Sequence, residues 1–179
     1  APLPAGYLLK NPEYAETLSL LAAKGADAFY TGSLAESIAK KVQTAKGNPG
    51  VLSKEDLANY NIIERAPVCA PYLSYEVCGM GPPSSGALTV GQILSMTTSF
   101  DLKQWGPNHP NSWQVIGDAT QLAFADRGLY MADSDFVTMP VGLLDANYLA
   151  ERARLITPGT PLSKAEPGQP TWKDKAVAL

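Results

Sequence analysis

The stretch Gly79 to Gly86, GMGPPSSG, constrains this chain more than any other part of it. Two prolines and three glycines within it fix some backbone dihedrals and free others, so neither a helix nor a strand can run through. The sequence on either side must pack as separate pieces joined by a shaped loop. On the N-terminal side, Pro67 to Met80 reads as two short strands around a turn at Leu73-Ser74. That centring pairs Tyr72 with Tyr75, Pro71 with Glu76, Ala70 with Val77 and Cys69 with Cys78. The last is a non-hydrogen-bonded pair, whose Cα atoms approach to about 4.5 Å and permit a disulfide. Leu-Ser is a poor hairpin dipeptide, and two buried free thiols satisfy the same sequence, so both states of the cysteines stand. On the C-terminal side, ALTVGQILSM places Ala87, Val90 and Leu94 on one helical face, with Ser84 or Ser85 as cap and Gly91 admitting a close neighbour.

The remaining periodicity is mostly helical. PEYAETLSLLAAK (12 to 24) aligns Tyr14, Leu18 and Leu21, with Pro12 in the first turn and Gly25 as C-terminal cap. Ser33 to Glu36 has the form of a capping box ahead of Leu34, Ile38 and Val42, and Ser53 caps the short segment KEDLANY. Residues 99 to 111 read as loop. Ser112 to Tyr130 is the longest helix, and Asp126 falls on its apolar stripe, where an isolated carboxylate would cost several kcal/mol. Asp126 must therefore have partners; pairing with Arg127 is the nearest option. A final helix over 145 to 156 presents Ala146, Leu149, Ala153 and Ile156. Beyond it, four prolines between Pro158 and Pro170 leave an extended or mobile stretch. The expected organisation is one globular part, 1–156, followed by a Pro-rich mobile tail, 157–179. With 45% hydrophobic and 17% charged residues, the chain is of a kind that folds around a core.

Several chemistries are excluded. The net charge is −3 and no basic cluster exceeds Lys40-Lys41, so nothing matches a row of phosphates and nucleic acid is not an expected partner. No apolar run reaches the roughly 18 residues of a membrane span. The start, without Met or a signal-type apolar stretch, reads as that of an excised or processed piece. The PPSSG loop at a helix start lacks the lysine of a phosphate-binding loop, and neither serine sits in a G-x-S-x-G elbow. His109, the single histidine, stands in a Pro-Asn-His-Pro turn and has no second histidine to complete a metal site. Asp126, Asp133 and Asp135 fail the calcium-loop pattern. No cofactor or metal is expected, and single motifs identify no function.

The order of several blocks is more informative. KGADAFYTGSLAESIAKKV (24 to 42), LSKEDLANYNIIERAPV (52 to 68), YEVCGMGPPSSGALTVGQIL (75 to 94) and AFADRGLYMADSDFV (123 to 137) resemble, in sequence order, the conserved blocks of the gamma-glutamyltranspeptidase family. The chain is similar to the C-terminal part of that family's large subunit. The resemblance implies an α+β fold: helices and a β-hairpin forming part of a four-layer αββα N-terminal-nucleophile hydrolase sandwich. It also implies a precursor that cuts itself into two subunits. A threonine heading the small subunit attacks gamma-glutamyl amides such as glutathione, and water or an amine resolves the acyl-enzyme. No catalytic residue is carried over to this chain, which is expected to be inactive alone with the small subunit as its partner. Pro82, Pro83, Ser84, Ser85, Gly86, Asp126 and Arg127 are expected as scaffold near the subunit junction, and the tail as the arm leading to the cut. Ala87 and Ala132 stand where the family shows Gly, and Gly81 where it shows Pro, which keeps a related cephalosporin or glutaryl acylase open, as well as a non-catalytic binding domain derived from the family. An exported family implies a periplasmic or secreted protein and favours the oxidised cysteine pair.

Overall fold

A computed structural model describes residues 2–172, and the chain resolves into two compact units, Ala1–Ile63 and Glu64–Leu179. This replaces the expected single globular part over 1–156, and the boundary falls in the extended segment ahead of the hairpin.

The first unit is helical. Helix α1 (Pro12–Lys24) starts where the Asn11 side chain accepts the Tyr14 N–H at 3.0 Å, and ends at Gly25, whose φ of 72° suits a residue without Cβ. A single turn, α2 (Asp27–Tyr30), leads into α3 (Ser33–Gln43), and α4 (Lys54–Ala58) follows. The capping box expected at Ser33 does not form: Ser33 already lies inside α3, and the N-cap is Gly32, where a Cβ would meet the Ala28 carbonyl oxygen at 2.8 Å. The box exists instead at Ser53, whose Oγ accepts the Asp56 N–H while the Asp56 carboxylate accepts the Ser53 N–H at 2.8 Å. That backbone bond, with the Ser53 hydroxyl, holds the Asp56 carboxyl below its usual range. Tyr30 stacks on Tyr60 with ring centres 5.6 Å apart, closing α2 against the end of α4.

The second unit begins with the hairpin β1 (Val68–Tyr72) and β2 (Tyr75–Gly79), in the register read from the sequence: Cys69 faces Cys78 and Tyr72 faces Tyr75. Leu73 takes the left-handed conformation at φ 53°, which is the cost of a Leu-Ser turn. Cys69 and Cys78 form a disulfide across a Cα separation of 4.0 Å. By the loop-entropy relation a ring of this size stabilises by roughly 2–3 kcal/mol. Replacing both cysteines with serine should lower the unfolding free energy of the intact protein by about that amount, and a shift below about 0.5 kcal/mol in urea titrations would contradict it.

Helix α5 (Gly86–Thr97) follows the loop and lies between the hairpin and two further helices, α7 (Pro110–Tyr130) and α8 (Ala146–Ala153); a one-turn helix α6 (Leu102–Trp105) and a 3-10 turn at Val141–Leu144 occupy the connections. The expected α5 face is wrong. Leu88, Gln92 and Met96 are buried and Val90 is 45% exposed, because a helix packed from two sides is apolar nearly all round and its period selects no face. Gly91 does admit a close neighbour: a Cβ there would lie 2.9 Å from the Ala70 Cβ and 3.0 Å from Leu144 Cδ2. The core joins Met96 to Val115, Ala119, Leu122 and Ala123 of α7 and to Tyr148, Leu149, Ala153 and Ile156 around α8. Ala146, expected on that apolar face, is exposed.

The stretch expected to be a mobile tail is extended but tied down from 157 to 172. Gly159 and Leu162 donate their N–H groups to Gln114 Oε1 and Asp118 Oδ1, Gly168 donates to Asp126, and Thr171 accepts the Gly142 N–H at 2.9 Å. Residues 173–179, the rest of the expected tail, lie outside the described residues.

Candidate functional site

The polar groups of the second unit converge on Asp126, 1% exposed on the inner face of α7. Each carboxylate oxygen accepts two bonds. Oδ1 takes the Gly168 N–H at 2.8 Å and Arg152 Nη2 at 3.2 Å, and Oδ2 takes Tyr148 Oη at 2.6 Å and Gln92 Nε2 at 3.1 Å. Arg152 Nη2 also donates to the carbonyls of Leu122 and Glu166, and Gln92 Nε2 to that of Leu143. Burial, and then the bond to Asp126, push the Tyr148 hydroxyl far above the ordinary phenol range, so it remains a donor. A carboxylate with four donors has no lone pair left to take a proton from a substrate. The cluster therefore holds α5, α7, α8 and the segment around Gly168 together.

Gly168 is locked into this cluster by space. A Cβ there would meet Tyr148 Cε2 at 2.8 Å and Arg152 Cδ at 2.9 Å. Tyr130 Oη donates to the Gly168 carbonyl at 2.6 Å, and its ring meets Trp172 edge-on at 5.9 Å. Two turns of α7 before Asp126, Asp118 is 2% exposed and accepts from Gln114 Nε2 as well as from Leu162.

The residues singled out from the sequence divide between two places. Pro82, Pro83, Ser84, Ser85 and Gly86 form the shaped loop, in which Ser84 N–H donates to the Gly81 carbonyl at 3.0 Å. Ser84 Oγ accepts the N–H of Gly86, the first residue of α5, at 3.4 Å, while the Ser85 side chain makes no cap bond. Ser85 Oγ accepts Arg127 Nε at 2.7 Å, tying the loop to α7. The adjacent Asp126, about 100° round the helix, is turned into the core, and the expected Asp126–Arg127 pairing is replaced by Asp126–Arg152. Asp133 and Asp135 are also apart from Asp126: Asp133 Oδ1 accepts the Asp135 N–H, and Asp135 pairs with Arg65, which holds its carboxyl below the usual range. His109 caps α7 through Nδ1, which accepts the Asn111 N–H, and stacks on Trp105. Cys69, Cys78 and Glu76 lie close enough to share a metal, but the disulfide leaves no thiolate to bind one.

Gln92, Tyr148, Arg152 and Gly168 were not anticipated. The available signal was an arginine on the apolar stripe of the last helix, complementary to an aspartate on the apolar stripe of the longest. Among the described residues no helix is long and apolar enough to cross a membrane.

Comparison with known proteins extends over nearly the whole chain. The sequence profile described as gamma-glutamyltranspeptidase matches residues 1–177. The chain is 40% identical to the glutathione hydrolase proenzyme of Escherichia coli K12 over 139 residues, covering 78% of this chain and 23% of that protein. It is 36% identical to the acylase ACY 1 proenzyme of Pseudomonas sp. SE83, covering 87% of this chain and 27% of that one. The fold is similar to the crystal structure of Helicobacter pylori gamma-glutamyltranspeptidase, at TM-score 0.75 and 37% identity over 91% of this chain and 47% of the other. The chain spans about a quarter of the length of the curated relatives it matches.

Proposed function

This chain belongs to the gamma-glutamyltranspeptidase family, and from that premise we propose that it forms the C-terminal part of the large subunit of a self-cleaving enzyme acting on gamma-glutamyl amides such as glutathione. The observation that carries this reading is the match along residues 1–177, together with relatives that are themselves glutathione hydrolase proenzymes. The helices and hairpin of the second unit then form one side of a four-layer αββα sandwich whose other strands lie elsewhere in the precursor. The nucleophile is a threonine at the head of the small subunit, activated by its own α-amine, and its acyl-enzyme passes the gamma-glutamyl group to water or an acceptor amine. In this scheme Pro82 to Gly86, Asp126 and Arg127 act as scaffold, and this chain alone is inactive. The Cys69–Cys78 disulfide supports placement in the periplasm or outside the cell.

A second reading, hydrolysis of glutaryl or cephalosporin side chains, is favoured by the identity to the Pseudomonas acylase together with the similarity of fold to a cephalosporin acylase of Bacillus halodurans. The two readings separate in one experiment on the intact precursor. Incubation should yield two chains, the smaller beginning with Thr, and the matured protein should release the anilide from a gamma-glutamyl anilide. Hydrolysis of glutaryl-cephalosporin without anilide release would establish the acylase instead, and a precursor that stays whole and inert would overturn both.

A further inference from the structure

The segment from 157 to 172 is held in an unusual manner. Its partners are side chains of α7 and α8, and what they grip is its main chain: Gln114 and Asp118 at Gly159 and Leu162, Arg152 at Glu166, and Asp126 and Tyr130 at the two sides of Gly168. Buried carboxylates spent on an extended segment fix the course of its main chain as far as Trp172. We propose that this grip is a positioning device for self-cleavage: by holding 157–172 it limits how far the bond to be cut, farther along the precursor, can stray, with Asp126 and Gly168 as its positioning residues. The inference rests on the self-cleaving precursor proposed above.

The size of the effect follows from the tether. For a cut no farther than about 16 residues beyond Trp172, release of 157–172 at least doubles the tether, and the local concentration of its far end, falling as about the −3/2 power of length, drops at least about 3-fold.

The experiment follows cleavage of the full-length precursor in Gly168→Ala, Asp126→Asn and the double variant Gln114→Ala/Tyr130→Phe. The double variant strips tethers but leaves the Asp126–Arg152 pair whole. Limited proteolysis reports whether 157–172 has been released, and kcat/KM is measured after prolonged incubation has cut every precursor. Variants with a released segment 157–172 should cleave about 3-fold more slowly or worse, while kcat/KM of the matured enzyme stays within 2-fold of the parent. Wild-type cleavage rates in a variant whose arm is released would overturn the proposal, as would a loss of kcat/KM parallel to the loss of cleavage, which is the mark of a general structural role. Absence of cleavage in the unmutated precursor would overturn the family-based reading first, and this inference with it.

Discussion

Arg152→Met should destabilise the intact protein by about 3–5 kcal/mol, the loss expected when one partner of a buried ion pair is removed and the other stays. Asp126 is 1% exposed, so its carboxylate cannot recover the lost bond from water, and the carbonyls of Leu122 and Glu166 lose the same donor. Equilibrium unfolding in urea measures it. Adding Asp126→Asn to Arg152→Met should recover part of the loss, because a neutral amide needs no counter-charge and its oxygen can still accept from Tyr148 and Gln92, even though Gly168 then lacks its acceptor. A single variant that costs less than about 1 kcal/mol would mean that the cluster is hydrated and that the arm is held by something else.

The second large effect belongs to Gly91. Ala70 sits on a strand cross-linked one residue away by Cys69–Cys78, so it cannot retreat from a side chain placed on α5, and Leu144 closes the other side. Gly91→Val should therefore cost about 3 kcal/mol through overpacking. Gly91→Ala should be much milder, since the better helix propensity of alanine offsets roughly 1 kcal/mol of crowding. Adding Ala70→Gly to Gly91→Val should restore part of the loss. If the valine variant melts with the parent, the hairpin and α5 are not in the contact described.

How much of this was legible in the sequence varies with the range over which each feature is determined. The hairpin register is local and was read correctly, since one turn position fixes every pair down to Cys69 and Cys78. The ends of α1 were equally local, set by Pro12 and Gly25. Helix α5 was misjudged because burial on two sides removes the contrast on which a periodicity argument depends. The partners of Asp126 come from three other segments, at positions 92, 148 to 152 and 168, and no local rule joins them. The sequence did show that Asp126 needed partners, while proximity along the chain pointed to the wrong arginine. The prolines after 157 correctly excluded a helix, but they carry no information on whether the resulting extended chain is free or anchored.

Recognition through amide and carbonyl groups has an evolutionary corollary for the stretch after 157. Side chains there, such as Ser163 and Gln169, are free to drift, since the helices read the peptide backbone and not its decoration. Gly168, Gly159 with its φ of 84°, the core-packed Leu162 and Ala165 and the buried Pro170 are the exceptions, so a saturation scan through this stretch should find tolerance interrupted at these positions.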